Sequence, residues 1–532
     1  MKVSLRAWLY RSSLYNLALW GPTPSTLRFR LEESWPGDAS RGQDMLGAPP
    51  HWTEANQRFL FLADLKAIEG EEGARAAREW TSDWLRRFDR IDEVSWRPDI
   101  IGDRLYSWIA FYEFLAGSPG EAALRQALLQ SLARQMRHLF RVWKRTSGLA
   151  RLKALRGLVA AAAAVEDKGR LRIACGKLAE ECKAQILPDG GHPSRDPGAV
   201  LAALAILIEA RDALAAASAE IPAALLAAID RAAPLLRFFR HGDGRLALFN
   251  GSSEGAAGLV ALVLQRAGLE AKPPLRAPHM GYERLQAGES LVILDCGAQP
   301  PRAWDENAHA GALALEMSAG SERLLVNCGA RLSGETSNGE RGHGERGEAD
   351  SWLLAMRATA AHSTLIVADT SSAEIGPDGH FTGPAFVIAS KRSEENGDQY
   401  VWASHDGYRA AFGLSHSREI YLAADGEDLR GEDRLESAGN DGAGRGFAIR
   451  FHLHPEIQAS ANASGDGVDL RLPGGALWRF QATGAAINLA ESVYLGTGVL
   501  RRSQQVILSG FAGSDGVSVK WAMRRERGTD AE

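Results

Sequence analysis

Apolar and polar positions alternate with two different periods along this chain, and the change falls near residue 280. Before it, apolar residues recur every three or four positions. "EEGARAAREWTSDWLRRF" places Ala74, Ala77, Trp80, Trp84 and Leu85 on one stripe, the mark of an amphipathic helix. The same spacing runs through "IIGDRLYSWIAFYEFLAG", "EAALRQALLQSLARQMRHLFRVW", "GLARLKALRGLVAAAAAV", "GRLRIACGKLAEECKAQIL", "AVLAALAILIEARDALAAA" and "AALLAAIDRAAPLLRFFRH". Helices of similar length with Gly, Pro or Asp at the joints predict a bundle, a solenoid or a toroid of helical hairpins. After residue 280 the period is two, or the runs are short and apolar. "ESLVILDCG", "GALALEMSAG", "ERLLVNCG", "HSTLIVADT", "FAIRFHLHP", "GVDLRLPGG", "ALWRFQAT" and "QQVILSGF" read as strands. Their Gly-, Asp- and Ser-rich separators predict an antiparallel sandwich. The expected fold class is α+β and multidomain. The Gly-rich, charged stretch 331–352 reads as a surface insertion or a flap over a site.

Composition adds exclusions. The chain has 532 residues, 45% of them hydrophobic and 24% charged, with a formal net charge of -5. That is an ordinary globular balance, and it does not support nucleic-acid binding, which favours a basic surface. No apolar run reaches the length of a membrane span. Arg6 and Arg11 break the apolar N-terminal run, which fits a secretory signal poorly and leaves the cytoplasm open. Cys175, Cys182, Cys296 and Cys328 form no CxxC pair and read as buried thiols, a disulfide being the alternative.

The helical pattern stops at "QILPDGGHPSRDP", 185–197, which gathers His192, Arg195, Asp189 and Asp196. Of 13 histidines, eight lie at or beyond position 309: His309, His343, His362, His380, His405, His416, His452 and His454. Several fall in strands or at strand ends. His452 and His454 are two apart, so they share a strand face. Such a set suits metal binding or the flanking of a substrate, or else a polar, hydrogen-bonded strand face.

These residues carry a resemblance. The chain resembles the heparinase II/III-like polysaccharide lyases through "LKAL" (152–155), "QILPDGGH" (185–192), "FFRHGDGRLALFNG" (238–251), "HAGALALEMSAG" (309–320), "AAHSTLIV" (360–367) and "HDGY" (405–408). The resemblance implies an N-terminal (α/α) toroid and a C-terminal antiparallel β-sandwich. Boundaries are expected at 1–55 for an extension, 56–278 for the toroid and 279–532 for the sandwich. It also implies β-elimination at a uronic acid of a polysaccharide, and a place in the cell envelope or periplasm. That chemistry needs a group that neutralises the carboxylate, a base for the C5 proton and an acid for the leaving oxygen. The candidates are His192, His405 and Tyr408 as catalytic groups, with Arg104, Arg195, His309 and His452 holding substrate. His362 and His416 are expected to help ligate a divalent metal, zinc or calcium, with Asp369 a further donor.

The departures from that pattern are specific. An Asn-His pair expected before "KAL" falls on Thr146 and Ser147. A tyrosine expected after the loop falls on Ala199, and the aspartate of a "HAD" motif is Gly311. Three readings stand. One is a lyase whose acid–base work has moved to the β side. The second is a catalytically altered protein that binds a glycan or assists envelope polysaccharide assembly. The third is a hydrolase using Asp189 and Asp196, which equally well fix turns.

Overall fold

A computed structural model describes residues 10, 12–47, 51–88, 90–268, 270–330, 352–383, 386–437, 444–462 and 464–526. The insertion at 331–352 lies outside the described residues except for Trp352. The chain forms two compact units, one of residues 1–185 and 202–230, the other of residues 186–201 and 231–532. The His192 loop, placed in the toroid by its order in the sequence, therefore belongs to the strand-bearing unit.

The main helices are α1 (Glu72–Arg87), α2 (Pro98–Ala110), α3 (Ala122–Val142), α4 (Gly148–Ala164), α5 (Lys168–Gln185), α6 (Pro197–Ala216), α7 (Ala223–Phe238) and α8 (Ala257–Ala267). The run at 100–117 is two helices, because Phe111 leaves helical geometry between α2 and Tyr112–Ala116. In the helical unit α2 and α4 pack backbone to backbone. A Cβ on Gly157 would sit 2.3 Å from the Gly102 carbonyl oxygen, and one on Gly102 would sit 2.3 Å from that of Lys153. Beside this contact, the buried Arg156 pairs with Asp103 and Glu209.

The second unit contains two large antiparallel sheets. One has the order β1 (Arg276–Ala277), β2 (Tyr282–Ala287), β3 (Ser290–Asp295), β4 (Leu315–Ala319), β5 (Glu322–Val326), then β13 (Gly446–Leu453), β18 (Arg501–Phe511) and β17 (Ala486–Tyr494), with β6 (Leu365–Val367) on β13. The other runs β14 (Gln458–Ala461), β15 (Gly467–Arg471), β16 (Leu477–Thr483), β19 (Val517–Glu526), β12 (Asp428–Ser437), β11 (Leu414–Leu422), β10 (Asp398–His405), β9 (Ile388–Glu395). A small hairpin, β7 (Glu374–Ile375) and β8 (Phe381–Thr382), stands apart. Inward residues of both sheets, such as Val292, Leu294, Ile449, Val401, Ile420 and Met523, make one core, as a sandwich requires. All four cysteines are free thiols. Among the described residues no helix is long and apolar enough to cross a membrane.

The α2–α4 contact reverses the usual effect of a helical glycine. Gly→Ala inside a helix ordinarily gains about 1 kcal/mol, but overpacking costs about 1–3 kcal/mol. Gly102→Ala and Gly157→Ala are each expected to lower the thermal midpoint. A midpoint unchanged or raised in both contradicts this packing.

Candidate functional site

The loop that interrupts the helices is held by its own charged side chains. Asp189 accepts the Gly191 amide at 3.0 Å with one oxygen, and the amides of His279 and Met280 at 2.7 and 2.8 Å with the other. Gly190, at φ +90°, passes so near the Arg231 carbonyl that a Cβ would meet it at 2.0 Å. Asp196 accepts the Gly198 amide at 2.7 Å at the start of α6. Burial pushes this carboxyl up to about 7, against the pull of the Gly198 and Ala199 amides.

Arg195 takes a left-handed backbone, φ +61°. Its guanidinium pairs with Asp295 and donates to the carbonyls of Met280 at 2.8 Å, Ala298 at 2.9 Å and Gly281 at 3.3 Å. The fork that would clamp a substrate carboxylate is spent inside the protein. The Arg195 carbonyl accepts the Tyr282 hydroxyl at 2.8 Å, and Asn250 Nδ2 donates to that same hydroxyl oxygen at 2.8 Å. Asn250 Oδ1 in turn accepts the His309 amide at 3.1 Å.

His309 and His362 then meet, Nδ1 to Nε2, at 2.9 Å. His362 Nδ1 lies 2.8 Å from the Ala358 carbonyl, so it must carry the proton. Its Nε2 therefore accepts from His309 Nδ1–H, and His309 Nε2 is left as an acceptor. Burial draws His362 down to about 4. Gly311 stands where a Cβ would meet His362 Cδ2 at 2.8 Å.

His192 sits apart from this chain of bonds. Its Nδ1 accepts the Ser194 amide at 3.3 Å and touches Ser194 Oγ at 2.7 Å. The proton is thus on Nε2, which is buried and finds no partner among the described residues. Its ring lies edge-on to Trp304, with centroids 5.1 Å apart, and burial lowers its pKa to about 4.

The other expected site residues lie elsewhere and inside. Gly407 N–H donates to His405 Nδ1 at 3.1 Å, His405 Nε2 lies 3.2 Å from His416 Nδ1, and His416 Nε2–H donates to Asp433 at 2.7 Å. Arg418 Nε and Trp521 Nε1 complete the shell of Asp433 at 2.7 and 2.9 Å. The Tyr408 hydroxyl donates to the Leu365 carbonyl at 2.8 Å. Burial raises its pKa far above that of a free phenol. His405 and Tyr408 are 1% exposed, so neither has surface to offer a polymer. His452 is equally enclosed: Nδ1 meets Ser492 Oγ at 2.7 Å, and Nε2 donates to the Ala360 carbonyl at 3.0 Å. Arg104, in the helical unit, donates to Gln135 Oε1 and to the carbonyls of Gln57 and Ser95 at 2.7–2.8 Å. Its guanidinium lies 4.2 Å over Trp84.

The expected metal does not fit these side chains. His362 and His416 each use both ring nitrogens in hydrogen bonds, and they sit in separate networks. Among the described residues no group of three or more His, Cys, Asp or Glu is arranged to hold an ion.

The structure thus brings Arg195 and His309 into one seam, joins His309 to His362 and His405 to His416, and leaves His452 and Arg104 apart. Sequence reasoning missed Asn250, Tyr282 and Asp295, which hold that seam together. Asn250, in "LFNG", and Tyr282 lie at the edges of the helix-to-strand change, which was the signal available.

A sandwich with a buried polar seam at the loop defines the class, and the comparisons identify it. The family model "Heparinase II/III-like, C-terminal" matches residues 270–522. Over its whole length the chain is similar to the FtsZ-localized protein C of Caulobacter vibrioides, at 30% identity over 564 aligned residues, covering 98% of this chain and 94% of that one. The fold is that of heparinase III, with TM-score 0.71 and 14% identity over 89% of this chain and 77% of that one. It is also that of the heparan sulfate lyase HepC of Pedobacter heparinus, with TM-score 0.64 and 15% identity over 99% and 88%. The chain belongs to the heparinase II/III-like family, and its architecture is the helical toroid followed by the antiparallel β-sandwich.

Two outcomes follow from this geometry. Arg195→Met strands the Asp295 carboxylate in the interior, and breaking such a buried pair costs about 3–5 kcal/mol. The variant is expected to lose stability in denaturant unfolding, whereas a substrate-holding arginine would leave stability unchanged. The second concerns acid. His192, His362 and His138 sit near 4 and His452 near 3, all lowered by burial. The unfolded chain, with histidine near 6.5, binds more protons between those values, so stability falls as pH drops below about 6.5. Each histidine contributes up to about 1.4 kcal/mol per pH unit. Asp196, raised, works oppositely, adding stability at low pH that is lost as pH rises from about 4 to 7. Glu283 and Asp295, raised as well, act with Asp196, but the histidines lowered by burial, His241, His309, His405, His416 and His454 among them, outnumber these carboxyls, so the thermal midpoint should fall from pH 7 to pH 5. A flat profile would show that these imidazoles are not buried neutral.

Proposed function

We propose that this chain is a catalytically altered member of its family, one that binds a glycan without cleaving it. The carrying observation is the commitment of the acid–base candidates. His405 and Tyr408 spend their polar atoms inside the sandwich, and Arg195 spends its fork on Asp295 and three carbonyls. Elimination needs a base and an acid that reach the sugar, and a cation free to take its carboxylate. At the family's helical positions Thr146, Ser147 and Ala199 supply none of these. His192 differs from these in keeping one uncommitted polar atom: its Nε2–H is an unpaired donor beside an indole ring, and with the ring 3% exposed a ligand acceptor reaches it only when its cover is displaced. Leaving such a donor buried and unpaired costs about 1–3 kcal/mol, and a ligand acceptor would offset that cost.

The relative named for localisation to FtsZ supports a role defined by association. By extension we propose that this chain too is recruited to FtsZ. An active lyase is the competing reading, favoured by the family and by the heparan sulfate lyase fold.

Absorbance near 232 nm separates the two. The purified protein is mixed with heparan, hyaluronan, alginate and polyglucuronate, and binding is followed in parallel. Elimination creates a double bond conjugated to the carboxylate, which absorbs there. The expected result is binding to at least one polymer with no rise, and binding weakened by His192→Ala. A rise with turnover establishes the lyase and overturns the proposal. Co-sedimentation with FtsZ filaments tests the recruitment, and protein left wholly in the supernatant refutes it.

A further inference from the structure

The face of the eight-stranded sheet turned away from the sandwich core carries an aromatic row that the fold does not require. Strand register places Tyr400 of β10 beside Tyr421 of β11, Tyr421 beside Arg430 of β12, Arg430 beside Ala522 of β19, and Ala522 beside Gln481 of β16. The parallel row is Trp402, Glu419, Glu432, Lys520 and Thr483. The tyrosine rings are 4.9 Å apart and tilted. Arg430 lies 5.3 Å over the Tyr421 ring and Lys391 5.6 Å over Trp402. Between Tyr421 and Gln481 the small side chain of Ala522 lowers the surface, and a cavity of about 750 Å³ elsewhere aside, the groove here holds 560 Å³. That lies within the roughly 300–1,000 Å³ usual for ligand sites.

We propose that this groove binds an uncharged oligosaccharide of pyranose units, at a site separate from the His192 loop. A pyranose has an apolar C–H face, which suits the part of the Tyr421 ring that lines the groove beside the Arg430 guanidinium, and a rim of hydroxyls that both donate and accept. The groove meets that rim with acceptors at Glu419 and Glu432, donors at Lys520, and both at Gln481. Its lining offers a uronate little free positive charge: Arg430 is paired with Asp428 at 3.0 and 3.1 Å, Glu432 already accepts Arg434 Nε at 2.7 Å, and Glu419 and Asp466 stand with Lys520 along the same groove. The Tyr421 ring is held in place by its hydroxyl, which donates to Asp398 at 3.0 Å. Preorganisation of this kind lowers the cost of binding. This inference does not rest on the glycan reading of the loop.

Saturation-transfer NMR on the full chain tests it, with N-acetylchitotetraose and cellotetraose as neutral probes and a heparan tetrasaccharide as the charged one. Transfer to at least one neutral probe is expected. Tyr421→Ala should weaken it at least about tenfold, Tyr421→Phe, which keeps the ring and loses its Asp398 anchor, should weaken it less than Tyr421→Ala, and His192→Ala should leave it unchanged. No transfer from either neutral probe at millimolar concentration overturns the proposal. So does neutral binding that survives Tyr421→Ala, and so does binding lost in His192→Ala but kept in Tyr421→Ala, which would move the glycan to the loop. Charged-probe transfer that is lost in Tyr421→Ala overturns the preference for an uncharged chain.

Discussion

The site in this protein depends on one buried ion pair. Arg195 and Asp295 join the loop between α5 and α6 to the end of β3, and the remaining guanidinium donors go to the carbonyls of Met280, Gly281 and Ala298. A buried pair recovers its desolvation cost only when further hydrogen bonds satisfy the charges; Arg195 has them, while burial still holds the Asp295 carboxyl above its ordinary value against the pull of Arg195 and the Gly297 amide. The Arg195 carbonyl then fixes Tyr282, Tyr282 fixes Asn250, and Asn250 fixes the His309 backbone. The tautomers of His309 and His362 come last in that order. A group so committed orients others and takes no part in ligand contact.

The sequence carried a test of the histidines that their mere clustering obscured. In β11, His416 has the same parity as Leu414, Ile420 and Leu422, all buried, and His405 has that of Val401 and Ala403 in β10. Period-two alternation puts each of these imidazoles on the core face. Read strand by strand, they belong with the aliphatic side chains, and the partner needed for burial, Asp433, lies one strand over in β12. Which partner a buried histidine finds depends on register, and register is invisible to a single strand.

The helices and the apolar strands were legible because burial writes a period into them. β9 was not: its exposure alternates only weakly, and "IASKRSEE" is an edge strand whose outward positions from Lys391 onward are charged or polar. The charges suit an edge, where they discourage pairing with another chain, and they hide the strand. The loop at 185–197 was found by its composition. Sequence order sets it among helices, while Asp189 and Arg195 tie it to residues 279–298. The resemblance to the heparinase II/III-like lyases gave the architecture. It did not give the state of the site, because the resemblance rests on motifs and the chemistry rests on where their donors point.

Gly311 shows how one substitution fits the rest. Where a "HAD" motif has aspartate, this chain has no side chain, and the His362 ring occupies the space a Cβ would need. With no carboxylate beside it, His362 gives its Nδ1 proton to a backbone carbonyl and accepts from His309 instead. Both rings can then be buried neutral, which costs far less than burying an imidazolium. A carboxylate at 311 would favour a charged ring. The same logic reaches Ala199, buried in the first turn of α6, where a phenol would need both room and a partner. With no polar group at 199 or 311, neither position carries a desolvation cost, and the two imidazoles beside the Arg195–Asp295 pair are satisfied by each other and by the backbone.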